Sequence, residues 1–112
     1  MIRASPFEIH TELTGDAAKL TLTGELDMAT APRLEEAVAG VLAKGARDVI
    51  VDLSGLAFVD SSGLRLFITL NDRAASEAWT LGLIRPQARL LSVFEITGAE
   101  QNLPFIEDPR SP

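Results

Sequence analysis

The chain has 112 residues, of which 46% are hydrophobic and none is cysteine. That hydrophobic share suffices for one compact core and argues against disorder, and without cysteine there are no disulfide staples or thiolate metal sites. The formal net charge of −6 disfavours nucleic-acid binding, which calls for a concentrated basic patch, and leaves open a basic protein partner. The first residues, "MIRASPFEIH", lack the apolar stretch of a secretory signal, and no apolar run approaches the length of a membrane span. A cytoplasmic protein without membrane insertion is the expectation.

"FEIHTELT" alternates apolar and polar residues, with Phe7 and Ile9 on one side and Thr11 and Leu13 continuing it. Gly15 and Asp16 are turn formers, and "KLTLTGEL" alternates again with Leu20 and Leu22 inward. Phe7 to Leu26 therefore reads as a β-hairpin. Thr30 is placed to N-cap a helix, and Pro32 suits its first turn, where no amide hydrogen is needed. Leu34, Val38, Val41 and Leu42 form its apolar stripe, and Gly45 suits its end. "DVIVDLS" has the near-continuous apolar run of a buried strand. After "GLAFVD" the pattern turns helical, with Leu64, Phe67, Ile68, Leu70 and Ala74 on the inner face. "WTLGLIR" predicts another strand, with Trp79 as core or edge packing. "PQARLLSVFEITG" predicts a helix, with Pro86 at its start and Gly98 past its end. "LPFIED" predicts a last short strand. The fold class is α/β: a mixed sheet of four to five strands, an N-terminal β-hairpin, and helices mainly on one face. A single domain spans 1–112, with its core over 7–106 and a frayed tail over 107–112.

Chemistry concentrates in "FVDSSGL". Asp60 follows a buried strand and precedes a helix, where its carboxylate can accept a first-turn amide. Ser61 and Ser62 fall in that turn, and Gly63 leaves room for close backbone approach. A well-capped helix with serines facing water is the plain reading. A serine hydrolase needs a base beside its nucleophile, but the only histidine, His10, falls on the polar side of the first strand. No nucleophile elbow, calcium loop or phosphate-binding glycine loop is present, so no catalytic residue, metal or cofactor is assigned. Phosphoacceptance remains. A phosphate on Ser61 or Ser62 would sit at a helix N-terminus, where free amides and the helix dipole favour an anion. It would add roughly −1.5 to −2 charges at one surface point and change a binding face without changing the fold.

"TGELDMATAPRL" followed by "VIVDLSGLAFVDSSGLRLF" resembles the STAS domain of bacterial anti-sigma factor antagonists. The resemblance runs from about Phe7 to Ile106 in the expected element order, and the later "RPQARLLSVFEITGAEQNLPFIED" resembles the family's last helix and strand. It implies a binding module rather than an enzyme. By position it implies that Ser61 is the phosphorylated serine, with Asp60, Ser62 and Gly63 completing its motif and Asp27 an acidic residue near the same surface. A capping or turn role for Asp27, in competition with Thr30, stays open. The implied partner is an anti-sigma factor with serine-kinase activity, bound by the unphosphorylated form so that a sigma factor is released. A phosphatase would reverse the mark. Arg65, just after the motif, is placed to offset part of a phosphate's charge.

Three other functions share parts of this pattern. One is a STAS subunit of an ABC-type lipid transport complex, whose motif-bearing face would bind the ATPase subunit. Another is a scaffold with high-order assembly, and the last is a small-ligand or nucleotide sensor. A monomer is expected, because no long exposed apolar stripe is evident.

Overall fold

A computed structural model describes residues 6–108. Alternating side chains build β1 (Glu8–Thr14) and β2 (Ala17–Leu26), which pair antiparallel from Glu8↔Thr23 to Thr14↔Ala17 without a break. Gly15, with φ 62, and Asp16, which has no positive φ, make the two-residue turn. Glycine at the first central position is what a type II′ hairpin turn requires.

The remaining elements alternate helix and strand: α1 (Ala31–Ala43), β3 (Asp48–Val59), α2 (Ser61–Glu77), β4 (Thr80–Ile84), α3 (Ala88–Ile96), a short 3₁₀ turn (Ala99–Asn102) and β5 (Phe105–Ile106). The sheet order is β1-β2-β3-β4-β5, with every pair after the hairpin parallel. A crossover helix between parallel neighbours is the expected consequence. The predicted α/β class, mixed sheet and N-terminal hairpin are all found.

Leu20, Leu22 and Leu26 of β2, Val49, Val51 and Leu53 of β3, and Leu83 of β4 are fully buried against the helices. Leu34 and Val38 of α1, Phe67 and Leu70 of α2, and Phe94 of α3 fill the same cluster. Phe67 and Phe94 stack at 6.2 Å between ring centroids, tying α2 to α3. Lys19 alternates with these leucines and so projects from the other face. Its Nζ lies 3.8 Å from Asp52 Oδ2 and 4.0 Å from Asp108 Oδ1. Asp52 Oδ1 also accepts from the Ser54 amide and hydroxyl, so this buried carboxylate is well paired.

Some details differ from the sequence reading. β3 does not stop at Ser54 but continues to Val59, because two register shifts against β2 absorb the break in the apolar pattern. A Cβ on Gly55 would lie 2.8 Å from the Leu22 carbonyl oxygen, so glycine lets the strands stay close there. Ile68, expected inside, is 41% exposed, and Leu66 is buried instead. The inner face of α2 is set by Leu64, Phe67, Leu70 and Ala74, and Ile68 lies about 100° round from Phe67. Leu13 is also outside, at 43% exposure. Trp79 is buried, with its indole N–H donating to Glu77 Oε1 at 3.1 Å. At the expected tail, Arg85 Nη1 meets Glu107 Oε2 at 3.2 Å; residues 109–112 lie outside the described residues.

Candidate functional site

Two parallel strands end side by side. Leu26 of β2 and Val59 of β3 are partners in register, and the Asp60 amide donates to the Leu26 carbonyl at 3.1 Å. Asp27 and Asp60 therefore follow directly from adjacent strand ends. In an open α/β sheet the C-terminal strand edge is where binding surfaces form.

Asp60 is the N-cap of α2 in extended conformation. Its Oδ1 accepts from the amides of Ser62 at 2.9 Å and Gly63 at 3.2 Å. Asp60 is thus committed to its helix, as the sequence reading expected. Ser61, the first helical residue, is exposed, and its hydroxyl has no hydrogen bond among the described residues. Ser62 is half-buried. Gly63 is buried: a Cβ there would lie 2.7 Å from Val59 Cγ2 and 2.9 Å from Leu26 Cδ2. Glycine at this position lets α2 begin directly against both strand ends.

Asp27 is half-buried and closes the turn before α1. Its Oδ1 accepts from the amides of Ala29 at 2.9 Å and Thr30 at 3.0 Å. Thr30 occupies the N-cap position, yet its side chain makes no capping bond to the helix. The buried hydroxyl instead accepts from the Asp27 amide and donates to the Glu25 carbonyl, both at 2.9 Å. The expected Thr30 cap is corrected on this point: the loop, not the helix, claims its hydroxyl, and Asp27 takes the turn-forming role.

Two open grooves flank the start of α2. One, about 340 Å³, is lined by Ser61, Leu64, Arg65 and Ile68, and by Thr97 and Asn102 across from them. The other, about 270 Å³, lies between α1 and α2 and includes Met28, Glu35, Ser62, Arg65 and Thr69. Arg65 belongs to both and makes no ion pair among the described residues. It stands one helical turn after Ser61, on the same face. The two serines therefore open into different grooves, divided by one arginine.

The sequence reading did not single out Met28, 76% exposed, or Ile96, 84% exposed. Both had a readable signal. Met28 is an apolar residue among turn formers in "DMAT", and Ile96 falls off the Leu90–Phe94 stripe. Among the described residues, no group of three or more His, Asp or Glu side chains is placed to hold a metal. No helix among them is long and apolar enough to cross a membrane.

Comparison with known proteins agrees with this fold. A family model described as "Mlab, STAS domain" matches residues 9–107. The anti-sigma-B factor antagonist of Staphylococcus aureus is 40% identical over 93 residues, spanning 80% of this chain and 83% of its own. An anti-sigma factor antagonist from Mycobacterium paratuberculosis has a similar fold, with a TM-score of 0.78 at 24% identity over 93% of this chain and 88% of its own. The Bacillus protein SpoIIAA superposes in its phosphorylated form with a TM-score of 0.69 at 20% identity, over 94% of this chain and 93% of its own. On the family match and the Staphylococcus relative together, the chain belongs to the STAS domain family, which includes anti-sigma factor antagonists.

Proposed function

We propose that this protein is an anti-sigma factor antagonist: unphosphorylated, it binds an anti-sigma factor with serine-kinase activity, and phosphorylation of Ser61 ends that binding. The observation that carries the reading is the contrast between the serines. Neither hydroxyl has a hydrogen bond among the described residues, but Ser61 is exposed whereas Ser62 is half-buried. A kinase needs an accessible hydroxyl, and Ser61 offers it on a rigid helix start.

The names of the relatives support the same job, since the Staphylococcus protein is an anti-sigma-B factor antagonist and SpoIIAA has a phosphorylated form. Asp27, Asp60, Ser61, Ser62 and Gly63 form the partner-binding face in this proposal. Asp27 and Asp60 shape it by holding the two turns, and keep their second carboxylate oxygens for the partner. A phosphate on Ser61 adds like charge beside Asp60, with repulsion and desolvation opposing the partner. Arg65 offsets part of that charge. The protein is then a substrate of its kinase, acting in the cytoplasm as a single STAS domain without catalysis of its own, and a phosphatase restores it.

The test uses the pure protein as bait in lysate of its source organism. Wild type and Ser62→Ala should capture a small protein with an ATP-binding kinase domain, and Ser61→Asp should not. The isolated kinase with ATP should then phosphorylate wild type and leave Ser61→Ala unmodified. Equal capture of a transporter ATPase by wild type and Ser61→Asp overturns the proposal in favour of a lipid-transport subunit.

A further inference from the structure

β1 is the outer edge of the sheet, and among the described residues no strand covers it. Edge strands are commonly guarded by lysine, proline or a bulge. β1, EIHTELT, has no lysine, proline or bulge, and its seven pairs with β2 run without a register shift; its charged residues are Glu8 and Glu12, and Glu12 is matched by His10 in the pairing below.

The turn decides which backbone groups point outward. A two-residue turn makes Thr14 and Ala17 a hydrogen-bonded pair, and an antiparallel ladder alternates from there. Glu12, His10 and Glu8 therefore direct their amides and carbonyls toward β2. Those of Leu13, Thr11 and Ile9 point away from the sheet.

These three outward residues are centred on Thr11. A second copy laid antiparallel about a two-fold axis at Thr11 sets Thr11 against Thr11 and Ile9 against Leu13. The pairs meet in hydrogen-bonding phase, so each exchanges two backbone bonds. On the other face, His10 meets Glu12 of the second copy. These two residues already share a side of β1, with Nε2 and Oε2 3.9 Å apart. Cross-strand pairs of this kind, apolar with apolar and imidazole with carboxylate, stabilise a sheet. Leu13, 43% exposed in one copy, gains a partner in Ile9, which already packs against the core.

We infer that β1 is a self-association edge, joining two copies of this chain into one continuous sheet. This departs from the monomer expected from sequence. The interface is a single short strand, well below the ~1,200–2,000 Å² of standard complexes, so the dimer is weak and reversible. It does not rest on the proposed function. β1 lies across β2 from β3, so Ser61 remains open in both copies.

Sedimentation of the full chain over a concentration series from micromolar to millimolar tests this, with wild type, Thr11→Pro and His10→Glu compared. Thr11→Pro deletes only an outward amide and spares the ladder to β2, the position where an edge strand tolerates proline. His10→Glu places carboxylates opposite each other. Wild type should self-associate with rising concentration, and each variant should do so at least about tenfold more weakly. Circular dichroism confirms which variants fold. Wild type that stays monomeric throughout overturns the inference. So does a folded variant of either kind that associates as tightly as wild type, and His10→Glu decides alone if Thr11→Pro does not fold.

Discussion

Of the three strand-to-helix junctions at the C-terminal edge, those after β2 and β3 use the same chemistry to opposite ends. Each begins with an aspartate whose Oδ1 accepts two backbone amides. Between β2 and α1 those bonds close a loop on itself. The buried Thr30 hydroxyl completes it by bonding to the Asp27 amide and the Glu25 carbonyl. Between β3 and α2 there is no loop: Asp60 caps the helix directly, and the next hydroxyl faces water. A hydroxyl drawn into backbone bonds is structure, and one left outside them is available for reaction. The difference lies in connection length, since four residues separate Leu26 from Ala31 and one separates Val59 from Ser61.

The largest expected effect comes from a residue that touches both junctions. Gly63→Val puts new carbon against Val59 and Leu26 together, and should cost about 2–3 kcal/mol in urea unfolding. A near-neutral result would mean that α2 need not sit so close to the strand ends. Next, Thr30→Val should cost about 2 kcal/mol, because it orphans the part-buried Asp27 amide and Glu25 carbonyl. Asp60→Ala should cost about 1 kcal/mol, the usual loss of a helix cap. The reverse ranking would break the contrast between a closed junction and an open one. Ser61→Asp should change stability by less than about 0.5 kcal/mol, as an exposed acid at a helix N-terminus. In the proposed function its effect belongs to binding, so a large stability loss would refute the separation of site from scaffold.

The smallest effect lies at the other end of α2. The Trp79 indole N–H, and then Arg73, hold the Glu77 carboxyl below the ordinary glutamate value. A depressed value in the folded state stabilises above the unfolded value and is lost as pH falls through the folded one. Glu77→Gln should therefore cost a little at neutral pH, with the deficit shrinking in acid. Unfolding followed by Trp79 fluorescence at both pH values reads this. A deficit that grows in acid would reverse the sign.

Much of this architecture is legible because alternation and helical spacing are strong where one face is buried. The hairpin, the α1 stripe of Leu34, Val38 and Val41, and the helix after Asp60 all follow that rule. The full length of β3 was not legible, because Gly55 and the two shifts against β2 interrupt the apolar pattern without ending the strand. Ile68 misled for a related reason: an apolar residue near a stripe looks internal until the helix's rotation is fixed by its neighbours. At the site, the sequence placed Asp60, Ser61, Ser62 and Gly63 together, since they are consecutive. Asp27 near the same surface came only from the family resemblance; that its turn begins at the adjacent strand end depends on the pairing of Leu26 with Val59, a long-range register that local pattern does not encode. The division of the serines between two grooves depends on how α1 and the segment after α3 flank α2, which is again tertiary.

The direct passage from Val59 through Asp60 into α2 also bears on speed. With one residue between strand and helix, and that residue held by four hydrogen bonds, Ser61 has no slack. In the proposed switch, a group added to its hydroxyl meets a backbone already in place, so the helix start need not rearrange before a visitor feels the new charge. The switch's response time would be that of the chemistry that adds or removes the group, with no conformational delay to follow.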